Sequence, residues 1–247
     1  MKHDRIFAFF LVLILVPLSM AQAGFFDELT KGLGVSDTLG NRPDNTTIVR
    51  GLKEALATGT TRAVQSVSKP DGYFANDLIK IPIPERISAV TNLLGRFGFQ
   101  PQVDQFVLSM NRAAEKAAPK ATEYFVSALK EMTFEDAGKI LQGSNTAATE
   151  YFKEKTGSKI YTAFRPVVTS SMQDVGVAAS YSQMISKLNS IPFGGAAVGA
   201  LDLENYVTTK AVDGLFLMLG EEEKKIRTDP AARGTELLRK VFGSLGR

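Results

Sequence analysis

The chain has 247 residues, of which 44% are hydrophobic and 22% charged, and it contains no Cys, no Trp and one His. That residue, His3, lies in a predicted targeting segment, so the exported protein is expected to have no His either. This composition excludes His-based acid/base pairs, Cys nucleophiles, disulfides and the usual ligand sets for zinc, copper, haem and iron–sulfur clusters. We expect no cofactor and no metal site, and only Mg²⁺ or Ca²⁺ held by scattered carboxylates stays open as an exception.

The charge is nearly balanced, with 29 Lys and Arg against 26 Asp and Glu. Such a balance gives no electrostatic footprint for nucleic acid, and we expect no nucleic-acid partner. A chain of this length buries roughly 70% or more of its unfolded surface, so one core stabilises it without disulfides.

The first 23 residues read as a cleaved signal peptide. Two basic residues precede the apolar run 6–18, and a small-x-small sequence places cleavage between Ala23 and Gly24. The run is shorter than the roughly 20 residues that a membrane-spanning helix needs, and no second run of spanning length follows. We expect a soluble, exported, periplasmic protein without a transmembrane segment after signal removal.

Residues 24–45 form a distinct N-terminal segment. Phe25, Phe26, Leu29 and Leu33 recur in helical register before a polar run. The segment is predicted to be amphipathic or flexible, and it either docks on the core or lies on a membrane surface.

Apolar residues at helical spacing dominate the rest, and sustained β-type alternation is rare. The pattern predicts an all-α, single-domain, multi-helix bundle over residues 46–247. The predicted helices cover 46–68, 84–97, 102–118, 120–132, 134–141, 146–156, 159–189, 203–227 and 230–242.

Two segments are predicted to be irregular because of their Pro and Gly content, residues 69–84 and 190–200. In the first, Ile79, Ile81 and Ile83 alternate with other residues, which is typical of a short extended stretch packed on the helices. Pro166 is expected to kink or split its helix.

Asp213 is the most unusual polar residue by position. The sequence around it, residues 211–219, is apolar nearly all round, which predicts a central buried helix. A buried carboxylate needs a cationic or N–H partner, and Lys210 and Arg112 are the candidates. Its role is either to fix helix packing or to bind a ligand.

Arg112 and Glu115 lie opposite the apolar stripe of their own helix, together with Leu108. This arrangement predicts that a second helix or a partner covers that face. By contrast, the pairs Glu221–Lys225 and Glu223–Arg227, each spaced four residues apart, are typical of a solvated helix end.

The absence of His and Cys leaves carboxylates, Lys or Tyr for any acid/base chemistry. A paired-carboxylate hydrolase acting on envelope glycans is therefore the most plausible enzyme, and it requires two carboxylates on one cleft. The candidates are Glu115, Glu135, Asp136, Glu150 and Asp213.

Several separated strings of the chain resemble the bacterial family catalogued as domain of unknown function 4197. The resemblance spans residues 48–242 and implies an exported helical protein, but it supplies no activity, substrate or catalytic residue. It rests on Lys69-Pro70-Asp71-Gly72-Tyr73, Ile79-Lys80-Ile81-Pro82, Ser109-Met110-Asn111-Arg112-Ala113-Ala114-Glu115, Met132-Thr133-Phe134-Glu135-Asp136-Ala137, Ala148-Thr149-Glu150-Tyr151-Phe152, Asp213-Gly214-Leu215-Phe216 and Asp229-Pro230-Ala231-Ala232-Arg233.

The leading hypothesis is a non-enzymatic exported protein that binds an envelope protein or a small, partly apolar ligand between its helices. The candidate ligand or partner residues are Asp213, Arg112, Asn111 and Glu115. The alternative is the glycan hydrolase.

Overall fold

A computed structural model describes residues 45–174 and 202–232, together with positions 186 and 239. Within these residues the chain is helical and contains no β-strand, which confirms the predicted all-α bundle. The predictions for residues 1–44, for 190–200 and for most of 230–242 lie outside the described residues. The single-domain organisation stays a prediction.

The described helices are α1 (Asn45–Ser68), α2 (Glu85–Leu94), α3 (Gln100–Ala117), α4 (Ala121–Glu131), α5 (Phe134–Gln142), α6 (Ala147–Asp174) and α7 (Leu203–Thr228). Residues Gly95–Phe99 join α2 to α3 through a kink at Gly98, whose φ is 89°, and 3-10 turns cover Ala118–Lys120 and Pro230–Ala232. Thr133 caps α5, because its hydroxyl accepts the Asp136 N–H while the Asp136 carboxylate accepts the Thr133 N–H. Most helix ends lie within a few residues of the predicted ones.

Helix α6 joins the helix predicted over 146–156 to the one predicted over 159–189, whose residues 175–189 lie outside the described part except for position 186. It runs without a break through Gly157, where an interruption was predicted, and it is not split at Pro166, where the sequence pattern predicted a kink or a split. Phe164 and Val168 are fully buried on either side of the exposed Pro166. The apolar face therefore packs across the proline, and this burial outweighs the backbone hydrogen bond that Pro166 cannot make.

The core lies where α6 packs against α3 and α7, with α1 and α4 closing the sides. Phe125 of α4 contacts two other rings edge to face, Phe152 of α6 at 5.2 Å and Phe216 of α7 at 6.0 Å between ring centroids. This geometry suits the electrostatics of aromatic rings and adds to the burial of their area. It fixes three helices around one point.

The interior between α1, α6 and α7 is solid. The cavity there, which Leu56, Phe152 and Ile226 help to line, measures about 10 Å³. This is about the room that one water molecule needs. The predicted ligand between helices therefore has no room at this place.

Residues 69–84 cross the outside of the bundle without forming a helix, as predicted. Ile79 and Ile81 are buried, and the turn at its start places Asp71 at a φ of 64°. Gly72 follows, where an added Cβ would lie 2.5 Å from the Val67 carbonyl oxygen. Only glycine fits there, because any side chain would collide with the end of α1.

Within residues 45–174 and 202–232, no helix is both long enough and apolar enough to cross a membrane. The same ranges contain no group of three or more acidic residues arranged to hold a metal ion.

Candidate functional site

Asn111 of α3 holds the 69–84 segment in the way that a neighbouring β-strand would. Its Oδ1 accepts the Ile81 N–H at 2.8 Å, and its Nδ2 donates to the Ile81 carbonyl at 2.9 Å. Nδ2 also donates to the Val107 carbonyl at 2.8 Å. All polar atoms of this fully buried amide are satisfied, and the segment gains the pairing that its alternating isoleucines would have found in a sheet.

Glu115 binds the same segment one helical turn further along α3. Its Oε1 accepts the backbone N–H groups of Tyr73 at 3.1 Å and Phe74 at 3.3 Å. The carboxylate is buried, so these bonds and the adjacent Arg112 charge compensate for its lost hydration.

Arg112 completes the contact at the surface. Its guanidinium donates to Glu115 Oε2 at 2.6 Å and to Asp71 Oδ1 at 2.7 Å. The hydrogen bond to Glu115 raises the pKa of Arg112 above its ordinary value. The side chain is about one third exposed, so solvent weakens the outer bond to Asp71 more than the inner bond to Glu115.

Tyr73 anchors the segment to α7. Its ring is fully buried, and its hydroxyl donates to the Ala211 carbonyl at 2.6 Å. The ring lies on Gly214, where an added Cβ would approach the Tyr73 Cε1 to 2.7 Å. Burial, with a further contribution from the Glu115 charge, raises the pKa of Tyr73 well above its ordinary value of 10.0.

These contacts correct two predictions. The face of α3 that carries Arg112 and Glu115 is covered neither by a helix nor by a partner but by the 69–84 segment of the same chain. Arg112 pairs with Asp71 and Glu115 instead of reaching Asp213.

The burial predicted for Asp213 is wrong. The residue is exposed, and its carboxylate has no hydrogen bond or ion pair within the described part of the chain. The apolar run around it is not buried all round, because Leu217, one turn further, is 45% exposed. Gly214 is the buried member of the pair, packed under Tyr73 and Ile79. Asp213 faces a groove on the surface.

This groove has a volume of about 680 Å³ and lies between the 69–84 segment, α7 and the start of α6. Its floor and walls include apolar side chains from the segment and from α7, among them Leu78, which is 66% exposed, and Leu217. Large exposed apolar side chains on two separate elements thus meet in one concave surface, which is a common property of binding sites. The lining residues that carry charge are Lys80, Lys153, Lys210, Asp213 and Glu221.

The sequence pointed to Asp213 of this groove and to Lys210 as its possible partner, but not to Lys80, Lys153 or the two leucines. The sequence of α7 does indicate that part of the groove lies on one helix face. The residues on that face recur three or four positions apart: Lys210, Asp213, Leu217 and Glu221. Three of these four residues are charged, which indicates a solvated face. Lys80 and Lys153 join them through tertiary packing, which local spacing does not reveal.

The hydrolase hypothesis requires two carboxylates at roughly 5 to 10 Å on one cleft. Of the five candidates only Asp213 lines the groove. Glu221 also lines it, but it lies eight residues further along α7, which corresponds to about 12 Å of helix rise. Glu115 is already bound to two N–H groups and Arg112. The described residues therefore provide no carboxylate pair for this chemistry at the groove.

A second buried carboxylate, Glu223, fixes the start of α6 beside the groove. It accepts the N–H groups of Ala148 at 2.9 Å and Thr149 at 2.8 Å, and it pairs with Arg227 at 2.9 Å. Arg227 also donates to the Ile140 carbonyl at 2.7 Å. The prediction of a solvated helix end is wrong for this pair, which ties α7 to α6 and α5.

The family model described as protein of unknown function (DUF4197) matches residues 42–243, which is more than four fifths of the chain. The chain belongs to this family. No curated protein and no solved structure matches it. The resemblance inferred from the sequence strings is thereby confirmed.

Four of the seven strings that carried the DUF4197 resemblance meet at one contact in this structure. Asp71-Gly72-Tyr73, Ile81, Asn111-Arg112, Glu115 and Gly214 all belong to the contact between the 69–84 segment and helices α3 and α7. This contact builds one wall of the groove. Asn111, Arg112 and Glu115 act on the groove only through the position of that wall.

The buried hydroxyl of Tyr73 leads to a pH-dependent prediction. Because the pKa of Tyr73 is raised in the folded state, its contribution to stability is complete below the unfolded pKa of about 10 and is lost as pH rises beyond it. Tyr73→Phe should lower the free energy of unfolding at pH 7 by about 1 kcal/mol, the worth of one hydrogen bond. That deficit should shrink towards zero at about pH 11.

Urea titrations of both proteins at the two pH values measure this difference. Other tyrosines titrate equally in the two proteins and cancel. An identical deficit at both pH values would show that Tyr73 ionises normally in the folded protein.

Proposed function

We propose that this protein is an exported, non-enzymatic binding protein, and that the groove between the 69–84 segment and α7 holds a small, partly apolar ligand. Export to the periplasm rests on the signal-peptide pattern of residues 1–23. The observation that carries the binding proposal is the meeting of Leu78 and Leu217, both exposed, over a concave surface of about 680 Å³.

The walls of the groove suit binding because each is held in place by buried contacts. Glu115, Asn111 and Tyr73 hold the 69–84 segment, and Glu223 holds the start of α6. A groove that is already formed needs little reordering when a ligand enters, which favours affinity. The solid interior between α1, α6 and α7 is a further reason to place the ligand here.

A neutral fluorescent probe that brightens in apolar surroundings, N-phenylnaphthylamine, tests this proposal. It should bind the folded protein at one site, and Leu217→Ser should weaken binding by about tenfold or more, since much of one leucine's burial is lost. Val126→Ser is the matched control, because Val126 is 42% exposed on α4 and does not line the groove.

Equal loss in both variants, or no binding to the folded protein, would contradict the proposal. If the probe fails but an envelope protein from the native host binds and Leu217→Ser abolishes that binding, the occupant is a protein and the ligand proposal is wrong.

A further inference from the structure

The groove contains lysines from three separate elements. Lys80 lies on the 69–84 segment, Lys153 on α6 and Lys210 on α7, and all three are exposed. They come together only through the tertiary fold. The two acidic residues of the groove, Asp213 and Glu221, both come from α7 and lie about 12 Å apart along it.

These lysines form no ion pairs within the described part of the chain. The Lys80 ammonium lies 4.3 Å above the Phe74 ring, and the Lys210 ammonium lies 6.0 Å from the Tyr206 ring. Lys153 has no acidic partner in this part of the chain. Other surface charges of the protein are paired, such as Lys139 with Glu135 at 2.7 Å. The amino groups around the groove are therefore available to a ligand.

We infer that the ligand is a single-chain anionic amphiphile, whose apolar chain lies on Leu78 and Leu217 and whose anionic headgroup contacts Lys153 and Lys210, with Lys80 at the edge. The inference rests on the proposed function and adds the charge of the ligand. Three ammonium groups against two carboxylates give the groove an excess of positive charge, which favours an anion. The same three positive charges would repel a cationic headgroup.

Calorimetric titration with three ligands of equal chain length, below their micelle concentrations, tests the inference. The ligands are decyl phosphate, decyl maltoside and decyltrimethylammonium. Decyl phosphate should bind most tightly, and its advantage over decyl maltoside should shrink at high salt because exposed charges are screened. Inorganic phosphate alone should show no measurable binding, since it lacks the chain that covers the leucines.

The double variant Lys153→Ala/Lys210→Ala should weaken decyl phosphate by about five- to tenfold and leave decyl maltoside unchanged. The control Lys130→Ala/Lys159→Ala removes the same charge from exposed positions on α4 and α6 outside the groove and should leave both ligands unchanged.

The outcomes separate the inference from the proposed function. If all three ligands bind equally and Leu217→Ser weakens all of them, the groove binds apolar chains and the anionic inference is wrong. If inorganic phosphate binds as tightly as decyl phosphate, the inference that the ligand is an amphiphile is wrong, because the apolar chain adds nothing to binding. If none binds, both the inference and the proposed function are overturned.

Discussion

Glu115→Ala should lower the free energy of unfolding by about 3–5 kcal/mol, a large part of the 5–15 kcal/mol typical of a folded protein. The substitution leaves the N–H groups of Tyr73 and Phe74 without an acceptor in the interior, and it removes the inner partner of Arg112. Unpaired buried donors carry the full penalty of lost hydration. Glu115→Gln should cost less than Glu115→Ala, because the amide oxygen still accepts the two N–H groups. Some loss remains, since the NH₂ group faces the Arg112 guanidinium and two donors form no hydrogen bond.

Urea denaturation followed by circular dichroism measures these differences. Asp213→Asn is the control, because Asp213 is an exposed carboxylate without a partner in the described chain, and it should change stability by less than about 0.5 kcal/mol. If Asp213→Asn destabilised the protein as much as Glu115→Ala, the assignment of Glu115 as the buried carboxylate and Asp213 as the exposed one would be wrong.

Gly214→Ala should destabilise the protein by about 2 kcal/mol. The new Cβ would lie 2.7 Å from the Tyr73 Cε1 and 3.2 Å from the Ile79 Cβ. Tyr73 has no easy way to move, because its hydroxyl is bonded to the Ala211 carbonyl. Overpacking of this kind lowers the free energy of unfolding by about 1–3 kcal/mol. Loss of the hydrogen bond of the Tyr73 hydroxyl lowers it by about 1 kcal/mol more. The higher helix propensity of alanine raises it by about 1 kcal/mol.

Gly220→Ala in the same helix is a matched control with the opposite expected sign. There the new Cβ would meet Thr146 and Thr149 at 3.7 and 3.8 Å, which are ordinary contacts. Only the helix-propensity gain of about 1 kcal/mol remains, so this variant should melt at a higher temperature than the native protein. Thermal melts that move in the same direction for both variants would contradict the close packing of Tyr73 on Gly214.

The bundle was predictable because helix periodicity and caps are local signals. The cap at Thr133 and the irregular segment after Lys69 both follow from residues within a few positions of one another. The continuity of helix α6 was not predictable, because it depends on tertiary packing and not on local signals. Gly157 and Pro166 weaken a helix locally, and only the burial of Phe164 and Val168 against other helices shows that it continues.

The candidate site was predictable in its residues but not in their partners. Asn111, Arg112 and Glu115 stood out by position, yet Glu115 binds a backbone group 42 residues away. Asp213 was misplaced because apolar neighbours such as Leu217 suggest a core, whereas here they line an exposed groove. Glu223 appeared solvated because it has Arg227 four residues away, and its bonds to the start of α6 depend on the fold.

Buried side chains of α3 hold the 69–84 segment in place as one wall of the groove. Native-state hydrogen exchange of the Tyr73, Phe74 and Ile81 amides tests this most directly, because each amide lies outside a helix and donates to a side chain. We predict that they exchange as slowly as the core amides of α3 and that Glu115→Gln accelerates Tyr73 and Phe74 before Ile81. Exchange of all three at the rate of an open surface loop would show that the side chains of α3 do not hold the segment in place.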